Sequence, residues 1–77
     1  MFVVSKNRLC AVNTDNIVGF RVIYNHLRKV FTLEAIDSGD CRYYCLGEFD
    51  SEEDALRAMQ EILDSLKAYR VPVITID

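Results

Sequence analysis

The chain has 77 residues, 51% of them apolar and 27% charged, with a formal net charge of −3. That length makes one domain, 1–77, which buries only about 60% of the surface its unfolded chain exposes, so a second subunit would add stability. The acidic balance is the wrong sign for gripping a polyanion by counterion release, so DNA or RNA is not an expected partner, and the apolar share excludes a disordered chain.

Charge is unevenly divided. Residues 1–47 hold six basic and four acidic side chains, and residues 48–77 hold three basic and eight acidic, which leaves the first part a local basic surface. The opening MFVVSKNRLC has no charged leader before its apolar stretch. No run approaches the ~20 apolar residues of a membrane helix, so the expectation is a cytoplasmic protein with no membrane partner.

In chain order, residues 2–5 (FVVS) and 9–12 (LCAV) flank the polar Lys6-Asn7-Arg8 and predict a tight hairpin. The polar NTDN at 13–16 then turns the chain into a longer strand, Ile17 to Tyr24. Asn25 to Lys29 (NHLRK) is the next turn and Val30 to Ile36 the next strand. Asp37-Ser38-Gly39-Asp40 is the strongest turn signal, because Asp and Ser favour turn starts and Gly supplies positive φ, an expectation for Gly39. Cys41 to Phe49 returns as a strand.

The period then changes from two to 3.6. Asp50 or Ser51 can cap a helix, with Glu53 or Asp54 as capping-box partner and a cluster of acids at the positive end of the dipole. Leu56, Met59, Leu63 and Leu66, joined by Ala55 and Ile62, recur at helical spacing and predict one apolar stripe. Lys67 and Arg70 suit the C-terminal end, Pro72 stops the helix, and Val73-Ile74-Thr75-Ile76 reads as a short final strand. The expected fold is α+β: an antiparallel meander of about five strands, one long helix across one face, and a C-terminal strand at an edge or reaching a neighbour.

Alternation assigns the faces of that sheet. Val18, Phe20, Val22 and Tyr24, then Phe31, Leu33 and Ala35, then Tyr43, Cys45 and Phe49 are expected to meet the helix. The outer face would carry Ile17, Arg21 and Ile23, then Val30, Thr32, Glu34 and Ile36, then Arg42, Tyr44, Leu46 and Glu48. Arg21 and Arg42 would flank Glu34. This mixture of aliphatics and opposed charges predicts self-association into a homo-oligomer through Ile17, Ile23, Val30, Ile36 and Leu46, together with Val73, Ile74 and Ile76 of the tail.

Chemistry is sparse. Cys10, Cys41 and Cys45 read as reduced thiols, and with His26 they lack the close spacing of a metal site, so neither metal nor cofactor is expected. No nucleophile is placed beside His26, and Gly19, Gly39 and Gly47 are scattered singly rather than forming a phosphate loop, which argues against an enzyme. Two constellations suit a ligand. Tyr24, Asn25, His26, Arg28 and Lys29 gather an aromatic, an amide, an imidazole and two cations around one turn, a set able to stack on a base and hold phosphate. Arg42 and Tyr44, with Arg21, form the second.

The segments NTDNI at 13–17 and LGEFDSEEDA at 46–55 resemble those of small proteins from Gram-positive bacteria and their phages, in which an Asn-x-Asp-Asn-Ile stretch opens a strand and a Leu-Gly-Glu-Tyr stretch leads into one helix. Phe49 stands here where that pattern has tyrosine. The resemblance spans about fifteen residues and covers a turn and a cap, so it carries over no functional residue. It implies a context of mobile elements, in which small non-enzymatic proteins block or sequester components of host defence. The expected function is therefore a homo-oligomeric binding protein that sequesters a nucleotide-like small molecule, or one that inhibits a host protein through the acidic helix or the outer sheet face.

Overall fold

The computed structural model describes residues 1–39, 42–68 and 73–76. Its elements run β1 (Phe2–Val4), β2 (Ala11–Asn13), β3 (Ile17–Asn25), β4 (Val30–Asp37), β5 (Tyr43–Phe49), α1 (Glu52–Ala68) and β6 (Val73–Thr75), with a 3-10 turn at Thr14–Asn16. The fold is α+β, one helix packed on a mostly antiparallel framework. The strands divide into two three-stranded sheets, ordered β2-β1-β6 and β3-β4-β5, and β6 runs parallel to β1. The C-terminal strand is thus an edge of the smaller sheet. Asp40, Cys41, Arg70 and Pro72 lie outside the described residues, and with them the end of the DSGD turn and the helix stop.

Local signals explain the joints. Asn13 caps the 3-10 turn by accepting the Asp15 N–H at 3.0 Å. Ser51 Oγ accepts the Asp54 N–H at 3.2 Å, which satisfies one free donor at the start of α1, and Glu52, Glu53 and Asp54 follow on the dipole's positive end. Asn25 Oδ1 accepts from the Leu27 and Arg28 N–H groups and folds the β3–β4 turn.

The core joins both sheets and the helix: Val3, Val12, Leu33, Ala35, Leu46, Phe49, Ala55, Ile62 and Ile76 are buried together. Two irregularities in register decide which residues enter it. At the start of β3, Ile17 pairs with Asp37 and Gly19 with Ile36, so Val18 is an extra residue. The bulge turns Ile17 inward against the core and leaves Val18, expected in the core, 69% exposed.

In β5, Gly47 faces Leu33 and Cys45 faces Glu34, which makes Leu46 the extra residue. Each residue beyond that bulge sits on the face opposite to its expected one. Tyr43 and Cys45, expected inside, are exposed on the outer face; Tyr44 packs against the core, and Leu46, expected outside, is fully buried. The Leu46 carbonyl is not orphaned, because the Lys6 N–H donates to it at 2.7 Å and so ties the β1–β2 loop to the larger sheet.

The helix stripe is also rotated from expectation. Ala55 and Ile62 are fully buried and centre the inner face, while Leu56 and Leu63 lie on a flank, each 41% exposed. The tail's aliphatic residues contribute mostly to the core rather than to a surface: Ile76 is buried and Ile74 packs against the core, while Val73 and Thr75 remain exposed. No described helix is long and apolar enough to cross a membrane.

Candidate functional site on the outer face of the larger sheet

The helix covers one face of β3-β4-β5, and no described element covers the other. Cross-strand pairing places Arg21 opposite Glu34 on that outer face, and the guanidinium meets the carboxylate at 2.7 Å. The same guanidinium lies 3.7 Å from the centre of the Tyr43 ring. Tyr43 reaches Arg21 only because the β5 bulge has turned it outward. A cation that is paired with a carboxylate and stacked on an aromatic ring is held in one conformation before anything binds.

Around this unit lie Ile23, 37% exposed, and the half-buried Ile36 and Val30. Thr32 is buried although it also faces outward, so its neighbours close over the middle of the sheet. Nearer the β3–β4 turn a second pair joins Arg28 to Glu48 at 2.9 Å. The two Arg–Glu pairs leave these four charges balanced, whereas α1 has five acidic and two basic side chains and so carries the whole net charge of the molecule.

Cys45 also faces outward on β5, between Tyr43 and Glu48. Its thiol pKa is raised above 9.0, chiefly by desolvation and secondarily by the negative charges of Glu48 and Glu34, against a lowering hydrogen bond from the Gly47 backbone. The thiol therefore stays protonated and weakly nucleophilic at neutral pH.

The residues expected to hold a ligand do not converge. Tyr24 packs edge-on to His26, with ring centres 4.8 Å apart, and against Phe31 at 4.9 Å. His26, Arg28 and Lys29 are exposed in the adjoining turn, and Asn25 spends its side-chain oxygen on the turn itself. Arg42 and Tyr44 belong to the other end of the sheet: Tyr44 lies opposite Ala35 and Arg42 beside Asp37, about five and seven residues of strand, or ~17 and ~23 Å, from the Val30 end where the turn begins. There the Tyr44 hydroxyl donates to Asp37 Oδ2 at 3.3 Å in a cleft of about 190 Å³ lined by Cys10, Asn13, Asn16 and Ile17. One small molecule cannot touch both groups. Arg21 lies between them and is already engaged by Glu34.

Lys6 lies in the polar Lys6-Asn7-Arg8 tract, which in sequence marks only a hairpin. Its ammonium donates to the Glu48 carbonyl at 2.9 Å and sits 4.3 Å above the Phe49 ring, and two depressions of about 240 Å³ each meet at it. Nothing local to Lys6 signals this, because the contact depends on how the two sheets dock. Tyr43 and Cys45 were placed on the wrong face, and one signal could have corrected that: an isolated glycine inside a strand, here Gly47, marks a bulge. Among the described residues no group of three or more His, Cys, Asp or Glu side chains is close enough to hold a metal ion. No family model matches the chain, and neither a curated protein nor a solved structure shows significant similarity to it.

Proposed function

We propose that this is a small non-catalytic binding protein that acts by occupying a surface of another protein with the outer face of its β3-β4-β5 sheet. The observation that carries the reading is the Arg21–Glu34–Tyr43 unit, a guanidinium fixed at 2.7 Å by a carboxylate and stacked 3.7 Å from a half-exposed tyrosine ring. Tyr and Arg dominate the energetic centres of protein interfaces, and side chains ordered in advance lose little freedom on docking. Ile23 and Ile36 supply apolar area beside the unit. The phage-like segments at 13–17 and 46–55 suit a protein that blocks a component of host defence or signalling, working in the cytoplasm.

The test is affinity capture from lysate of the encoding cell or its host with wild type and Tyr43→Ala in parallel, after thermal melts have shown both to be folded. A specific protein retained by wild type and depleted more than about tenfold on Tyr43→Ala is the expected result. Equal recovery on both proteins would refute the reading.

A second reading, sequestration of a nucleotide-like anion, rests on the Tyr24–His26 ring pair beside Arg28 and Lys29. Calorimetric titration with mono-, di- and cyclic nucleotides tests it. Heat that Arg28→Ala abolishes would favour it, and silence at millimolar ligand would remove it.

A further inference from the structure

The β3-β4-β5 sheet ends on β3, its longest strand, and among the described residues no strand pairs with the far side of β3. Edges of this kind are ordinarily guarded by lysine, proline, an inward charge or a β-bulge, and the bulge of β3 is confined to its first residues, at Val18. The single charge on β3 is Arg21, and it is turned back onto Glu34. The backbone edge past that bulge, from Phe20 to Asn25, therefore remains open to another strand.

A second, independent feature lies beside that edge. One flank of α1, carrying Asp54, Arg57, Ala58 and Glu61, faces Phe49 and Lys6 on the β5 side. The opposite flank consequently turns toward the β3 side of the sheet. At 100° per residue Glu52, Leu56, Gln60, Leu63 and Lys67 fall within an arc of about 80° on it. Leu56 and Leu63 are each 41% exposed, and so is Tyr24 near the end of β3.

We infer that a second copy of this chain covers this surface, β3 pairing antiparallel with the partner's β3 and α1 lying antiparallel to the partner's α1. One two-fold axis perpendicular to the sheet produces both pairings at once, as an isologous dimer requires. The flank is self-complementary under that operation. An axis passing between Met59 and Gln60 brings each Leu56 toward the partner's Leu63, and the same axis brings each Glu52 toward the partner's Lys67. Apolar meets apolar, and acid meets base, twice. Glu52 and Lys67 are exposed, and among the described residues neither forms an ion pair. The dimer has a continuous six-stranded sheet whose two outer faces lie side by side on one surface. This inference goes beyond the binding role and does not depend on it.

Sedimentation of the full chain tests it without any other protein. A dimer at micromolar concentration is expected. Lys67→Glu sets glutamate against glutamate at both ends and should weaken the dimer by about tenfold, and combining it with Glu52→Lys should restore affinity to within about threefold. Circular dichroism verifies the helix in each variant. A monomer at millimolar concentration overturns the inference. So does a dimer indifferent to Lys67→Glu, or one that the charge swap fails to restore; a dimer disrupted instead by Arg21→Glu would place the contact on the outer face.

Discussion

Single residues carry much of the geometry. A Cβ added at Gly47 would stand 3.1 Å from Phe49 Cε2 and 3.2 Å from Lys6 Cβ, where the β1–β2 loop meets β5. Gly47→Ala should therefore cost about 1–3 kcal/mol in a urea melt, as overpacking does. Arg21→Ala strips Glu34 of its partner while leaving that side chain only 15% exposed, and a loss of ~1–2 kcal/mol is expected from the stranded carboxylate. Cys45 gives a pH signature. Because its folded thiol pKa is raised above 9.0 by desolvation, alkylation near pH 7.5 should be slower than in the unfolded chain and should accelerate at higher pH than a free thiol requires. Linkage has the matching sign: the folded state holds this proton more tightly, so its contribution to stability is intact below the unfolded pKa and falls as pH rises through the folded one.

At the level of elements, two turns invite opposite outcomes from the same substitution. Arg8 and Lys29 both have positive φ, 67° and 56°, a region that glycine enters at less cost. The Arg8 guanidinium also donates to the Ile76 carbonyl at 2.7 Å and to Lys6 O at 3.0 Å, clamping the tail to the β1–β2 loop. Arg8→Gly should destabilise the protein, whereas Lys29→Gly, which relieves the backbone of an exposed turn residue, should raise stability by about 0.5–1 kcal/mol in thermal melts.

The same scale shows what the sequence could reveal. The turns at Asn25 and Asp37, the Ser51 cap and the period change into α1 were legible because each is a local competition among a few backbone donors. The faces of β3 and β5 were not. Strict alternation placed Val18 and Tyr43 inside and Leu46 outside, and one extra residue per strand reversed them. Those bulges answer to docking: Leu46 turns inward, and its carbonyl takes the Lys6 N–H from a strand pair forty residues earlier in the chain. Neither the division into two sheets nor the Arg21–Tyr43 stack could be read from neighbours in sequence, since both follow from that contact.

Across the whole molecule, charge and apolar surface are sorted by side. The net −3 resides on α1, while the opposite sheet face presents two compensated Arg–Glu pairs with aliphatic residues and Tyr43 between and around them. Balanced charge on a rigid face favours close docking, because few ions must be stripped of water without a partner. An acidic helix, by contrast, would govern encounter rate and its dependence on salt. The two surfaces can be separated in one measurement: quantitative capture of the cellular partner by wild type, Tyr43→Ala and Glu61→Lys at fixed ionic strength. If the outer face docks the partner, Tyr43→Ala loses it and Glu61→Lys keeps it. Retention by Tyr43→Ala together with loss on Glu61→Lys would contradict outer-face docking.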